Sequence, residues 1–133
     1  MPRRIPITLI TLSLVLGPRL GLAQGTLLWQ QTLTGTAANS NDAAVAVAVD
    51  NQGNVLTAGH TRNTGTFEDF TVAKFDRNGT PLWRRNLTAT ANSVDEALSV
   101  AVDNQGHVLA VGDTANPTPG GAFLDFTVAK FDR

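Results

Sequence analysis

Asp69-Phe-Thr-Val-Ala-Lys-Phe-Asp-Arg77 is written twice in this chain: the same nine residues stand unchanged from Asp125 to Arg133. Working outward, other blocks return in the same order. Ala48-Val-Asp-Asn-Gln-Gly53 recurs as Ala101 to Gly106, and Leu28-Trp29 as Leu82-Trp83. The offset is 54 residues at Trp29/Trp83, 53 at Asp50/Asp103 and 56 at Asp69/Asp125, so the copies differ by small insertions. A fixed period of this length marks a repeat architecture, in which each unit leaves an apolar face for its neighbour to cover.

Within one period, strict alternation predicts four short strands and no helix. Ala44-Val-Ala-Val-Ala-Val49 and its counterpart Ala97 to Val102 carry branched residues on one face and small ones on the other. A strand apolar on both faces is expected to be covered on both sides. Asp50-Asn-Gln-Gly53 follows as a turn: the Asp side chain accepts from the bend and Gly takes the positive φ. Asn54 to Gly59 returns as the second strand, and Asp69 to Phe75 forms the third, with Phe70 and Val72 on one face and Ala73 and Phe75 on the other. A second Asp-X-X-Gly turn, Asp76 to Gly79, leads to an outer strand, Leu82 to Leu87. There Trp83 and Leu87 share a face and Arg84 and Asn86 point to a wet side. The longest connection, Thr61 to Glu68 and its counterpart Thr114 to Leu124, differs most between the copies. Variable loops on a repeated scaffold are where function would sit, but such loops tolerate insertion freely and plain surface slack is the stronger explanation of the difference.

The expected fold is therefore all-β: four-stranded antiparallel meanders of the kind that form the blades of a β-propeller, two in number. Domain limits are a leader at 1–23 and a two-repeat segment at 24–133, with repeats at about 27–80 and about 81–133 by the period. Asp95-Glu96-Ala97, Ala48 to Val55, and Asp69 to Asp76 resemble the recurrent blocks of the bacterial SBBP-type β-propeller repeat, over essentially Leu28 to Arg133. That resemblance implies an exported or surface propeller with no shared enzymatic activity. Rings of this kind close with about four to eight blades. The segment starts at an outer strand, Leu27 to Leu33, and stops after a third strand. Either the ring closes between chains or the chain is a piece of a longer repeat protein. With two repeats each, three or four chains fall inside that range, and an odd number of blades cannot be reached.

The N-terminus reads as a secretory signal. Arg3 and Arg4 precede an apolar stretch, Ile5 to Leu16, and Gly21 and Ala23 occupy positions −3 and −1 of a cut before Gln24. Gly17-Pro18-Arg19 interrupts the stretch well short of the ~20 residues a spanning helix needs. The expected location is secreted, periplasmic or cell-envelope, with no stable membrane insertion after cleavage. Losing Arg3, Arg4 and Arg19 from the ten basic residues leaves seven against 11 acidic, a net charge of 7 − 11 = −4. A mildly acidic surface argues against nucleic acid, whose phosphates need clustered Lys and Arg. The chain has no cysteine, so packing rather than disulfides must hold an exported domain together. Asn78-Gly-Thr80 and Asn86-Leu-Thr88 are sequons that a turn and a strand asparagine explain as well.

No catalytic, cofactor-binding or metal-binding residue is assigned. His60 and His107 are not equivalent in the repeat, since Asp113 and Asn54 stand in the matching places, and both are expected at the surface or at strand ends. Asp42 and Asp95 precede the inner strands while Asp69 and Asp125 open the third ones. Such acids usually satisfy backbone donors, and no calcium-loop spacing is present. Lys74 and Lys130 are expected to snorkel or to pair with an acid. Trp29 and Trp83 resemble the tryptophans that dock neighbouring blades in quinoprotein propellers. Two functions remain open: a non-catalytic module that binds itself, other propeller repeats, or a protein or glycan ligand; and a fragment of an enzyme-bearing propeller of quinoprotein or lyase type.

Overall fold

The turns set the geometry. Asp50 Oδ1 accepts from the Gln52 and Asn54 backbone N–H groups at 2.9 and 2.8 Å, and Asp103 Oδ1 does the same for Gln105 and His107 at 2.9 Å each. Gly53 and Gly106 close these bends at φ 81° and 87°, a region that L side chains avoid. Asp76 repeats the arrangement with Asn78 and Thr80. The computed structural model of the chain describes residues 25–89, 93–119 and 121–133. The expected leader at 1–23 lies outside them.

Joined by these turns, β1 (Ala43–Val49), β2 (Val55–Asn63), β3 (Phe67–Phe75) and β4 (Pro81–Leu87) form an antiparallel meander in that spatial order. A short strand, β5 (Ser93–Val94), continues along the free edge of β3 in parallel, Phe67 opposite Ser93. The second copy forms its own antiparallel sheet from β6 (Glu96–Val102), β7 (Val108–Thr118) and β8 (Gly121–Phe131). The fold is all-β, and no helix occurs among the described residues. No helix there is long and apolar enough to cross a membrane.

Pairing register gives each sheet two sides. The front of the first sheet carries Leu56, Ala58, Phe70, Val72 and Lys74, and the back carries Val47, Val49, Thr57 and Phe75. In the second sheet, the front carries Leu109, Val111, Phe126 and Val128, and the back Val100, Val102, Val108, Ala110 and Phe131. The front of the first sheet stacks on the back of the second. Leu56, Ala58, Phe70 and Val72 share one buried cluster with Ala97, Val100, Val108 and Ala110, flanked by Ala46, Ala48, Trp83 and Phe131. Alanine on the approaching face of β1 lets the sheets come close, as the alternation required. A bulge in β1 between Ala44 and Ala46, repeated in β6 between Ala97 and Ser99, presses the strand against its neighbour. A Cβ on Gly59 would overlap the Ala43 carbonyl oxygen, and one on Gly112 the Glu96 carbonyl oxygen, so both positions need glycine.

Three expectations are corrected. Leu27 to Leu33 is no strand: among the described residues it pairs with no neighbour, and it runs across the back of the first sheet. The edge that its sequence matches is that of a third strand, and the edge of β3 is already taken by β4 and β5. The connections Thr61 to Glu68 and Thr114 to Leu124 are mostly strand, because β2–β3 and β7–β8 stay paired to their tips at Asn63/Phe67 and Thr118/Gly121. Paired threonines favour this, with Thr61 and Thr71 hydroxyls 2.8 Å apart and Thr114 and Thr127 at 2.7 Å. Consequently Asp69 and Asp125 lie inside β3 and β8 rather than opening them. Finally, the valines of β1 are not covered: Val45, Val47 and Val49 are exposed.

Candidate functional site

The repeated carboxylates Asp42, Asp50, Asp69, Asp76, Asp95 and Asp103 are engaged by the scaffold. Lys74 reaches from β3 to Asp50 Oδ2 at 3.0 Å, with both side chains at 5% and 3% exposure. Lys130 meets Asp103 Oδ2 at 2.9 Å in the second copy, but at 52% and 24%. Both lysines therefore pin the first turn of a repeat to its third strand. Burial alone would raise the Asp50 pKa from 3.8, but the side-chain amide and N–H of Asn54, the Lys74 ammonium and the Gln52 N–H outweigh it and hold the carboxyl at about 2. Lys130, opposed by desolvation and helped by His107, likewise holds Asp103 below the usual carboxylate range.

A depressed folded-state pKa has a definite sign. Asp50 contributes its full stabilisation above its unfolded value near 3.8, and loses it as pH falls toward about 2. The urea midpoint of the chain is expected to fall across that window, and Asp50→Asn should remove a share of the fall. A midpoint with the same acid limb in both proteins would show that Asp50 does not carry it.

Asp42 and Asp95 precede β1 and β6 as expected, and they do the same job twice. Asp42 Oδ1 accepts the Arg62 N–H at 2.7 Å and Asp95 Oδ1 the Ala115 N–H at 2.7 Å, at matching places in β2 and β7. Asp95 is fully buried and also accepts the Ala89 N–H at 3.0 Å. Each carboxylate continues the ladder where the inner strand has not yet begun. Asp69 ties the β2–β3 tip to the end of β4, accepting from Asn63 at 2.6 Å, Thr66 at 2.9 Å and Thr88 at 2.9 Å. Asp125 has the Asn116 amide at 3.1 Å in an exposed setting. Among the described residues no group of three His, Asp or Glu side chains is placed to hold a metal ion.

The histidines need a correction. His107 lies just before β7 and bonds Asp103 at 2.9 Å, as a strand-end residue does. His60 lies within β2, largely buried, with Nδ1 3.1 Å from Glu96 Oε1 on the other sheet. It bridges the two repeats. Its partner Glu96 stands in the matched block but carries no signal of its own, so this contact was not readable from spacing. Arg84 was expected on a wet side; instead it donates to Thr61 Oγ1 at 2.6 Å, the Thr34 carbonyl at 2.9 Å and Asn86 at 2.9 Å. The Thr34 carbonyl meets Arg84 from outside the sheet, a contact no periodicity reveals, while Asn86 stays exposed as expected.

The tryptophans behave alike. Trp83 on β4 packs against Phe131 of the second sheet, ring centroids 5.8 Å apart and tilted 41°. Trp29 packs against Phe75 of the first sheet at 6.2 Å and 34°, and lies over Gly79 while donating to the Arg77 carbonyl at 3.2 Å. Thus residues 27–33 hold the same relation to the back of the first sheet that β4 holds to the back of the second.

Among the described residues two surfaces are left uncovered, and they are the outward copies of the buried interface. Phe70 and Val72 are 0% exposed, whereas Phe126 and Val128, at the same repeat positions, are 84% and 59% exposed. Val100 is 9% exposed, and its match Val47 is 67%. A cleft of about 220 Å³ opens on the back of the first sheet between Gln31–Leu33 and β1–β2, lined by Ala44, Thr57, Gly59 and Thr71. The hairpin tips add exposed aromatics: Phe67, with the Arg62 guanidinium 4.1 Å from its ring, and Phe123. No protein-family profile matches the chain, and no curated protein matches it.

Proposed function

We propose that the chain is an exported, non-catalytic β-propeller repeat module, a scaffold whose hairpin tips present a binding surface. The observation that carries this reading is the repeated docking contact. Trp29 stacks on Phe75 as Trp83 stacks on Phe131, so the unit that repeats is a sheet together with its way of stacking on the next, as in propeller blades. The resemblance to SBBP-type repeats supports the same assignment. Asp42, Asp50, Asp76, Asp95 and Asp103 accept from turns or strand ends, which suits a scaffold. The tips are where the copies differ, with β7 and β8 of 11 residues against nine for β2 and β3. Exposed Phe123, and the face of Phe67 away from Arg62, offer flat apolar surfaces suited to stacking on a sugar ring.

The test uses the chain as exported from its producing cell, whose mass should place the N-terminus at Gln24. It is applied to a printed glycan array with mass-spectrometric detection of products. Binding without turnover is expected, lost in Phe123→Ser while the melting temperature stays within about 2 °C, as for most surface changes. Turnover of a glycan, or binding unchanged in Phe123→Ser, would replace this reading.

A further inference from the structure

The geometry points to head-to-tail association of this chain with further copies of itself, the front of the second sheet of one copy stacking on the back of the first sheet of the next. It rests on the propeller reading above for the way sheets stack, but on no ligand. The chain already contains one such interface, front of the first sheet against back of the second, and it is apolar and buried at its centre. Its two halves are displayed again, outward, by residues of the same repeat position. Phe126 and Val128 match the buried Phe70 and Val72, and Val47 and Val49 match Val100 and Val102 of the buried back. Each of the two described sheets thus presents outward a surface that matches a buried one. Isolated apolar residues on a surface are ordinary, but a contiguous set on a sheet face is an interaction site.

The strand edges agree with the faces. β3 pairs with β4, Phe70 opposite Leu87 and Lys74 opposite Trp83. β8 ends its sheet with no such partner among the described residues. The segment that matches β4 is 27–33, with Leu33 in the place of Leu87 and Trp29 in that of Trp83. Docked through Trp29 on its own Phe75, this segment offers a free backbone edge. Stacking a neighbour's second sheet on the back of the first brings that neighbour's β8 alongside it, Phe126 opposite Leu33 and Lys130 opposite Trp29. One docking step therefore satisfies an unpaired strand edge, fills the cleft beside Gln31–Leu33 and covers both apolar faces. The contact is heterologous, so it closes into a ring when the rotation per copy permits and otherwise extends.

The experiment separates head-to-tail stacking from any symmetric pairing. Val47→Asp blocks the back of the first sheet and Val128→Asp the front of the second; both side chains are exposed in the single chain, so neither change disturbs its core. By light scattering on a sizing column, the wild type is expected as a discrete assembly of more than one copy, or as a concentration-dependent series. Each variant alone should be a folded monomer by circular dichroism. Their equimolar mixture should form a heterodimer, because one intact back meets one intact front. A folded monomeric wild type overturns the inference, as does a homodimer of either variant or a mixture that stays monomeric. Loss of glycan binding with the assembly intact would strike the proposed function and leave the association standing.

Discussion

Phe70→Ala is expected to destabilise the chain by about 3–5 kcal/mol, the usual loss when a large aromatic is removed from a packed core. Phe126→Ala, at the same place in the second copy, should barely move the urea midpoint of the monomer. The two phenylalanines sit in the same nine-residue sequence, so propensity, neighbours in the chain and the unfolded state are closely matched. Only their surroundings differ, 0% against 84% exposure. A loss of this size is a large fraction of the stability of a domain, typically about 5–15 kcal/mol. The measurement is urea unfolding on the Val47→Asp background, which keeps stacking out of the reading. Equal effects at the two positions would mean that the sheets do not stack as described.

Lys74→Met should be the second large effect, about 3 kcal/mol, because it strands a buried carboxylate whose partner has gone. Asp50 keeps its donors from Asn54 and Gln52, which places the loss at the low end of the range for broken buried pairs. Lys130→Met removes the matching ammonium from an open site and should leave the monomer's midpoint nearly in place, since exposed pairs contribute little. The contrast has a further use. If copies stack front to back, Lys130 becomes covered as Lys74 is, and Lys130→Met should weaken the assembled protein more than the monomer. Paired unfolding curves, at concentrations where the protein is assembled and where it is not, read this directly.

Much of the sheet was legible because the relevant signals are local. Alternation of large or branched with small residues marked β1 and β6, and Asp-X-X-Gly marked three turns that all form with the carboxylate as acceptor. Trp83 reaches across to Phe131 of the second sheet, a docking that its resemblance to the tryptophans of quinoprotein propellers implied. What failed was non-local. Leu27–Leu33 has a strand's sequence, yet a strand exists only beside an edge, and the matching edge lies on β8. Val45, Val47 and Val49 have a core's composition, yet burial needs a second surface, and none lies over them among the described residues. The His60–Glu96 contact joins two residues whose repeat equivalents are Asp113 and Ala43. A signal that occurs once in a repeated sequence cannot be recognised by repetition.

The carboxylates of Asp42 and Asp95 have a consequence beyond stability. Each takes the N–H of Arg62 or Ala115 in the position a strand would occupy, so the pairing below that bond is closed off from whatever lies above it. The first copy reaches its tip shortly beyond this point and the second runs further, without any change of register in the stacked part. In evolutionary terms the aspartate is a firebreak. Insertions, deletions and composition can drift at the tip while the layers beneath keep one geometry, and a family of such repeats can diversify what it touches without renegotiating how it folds.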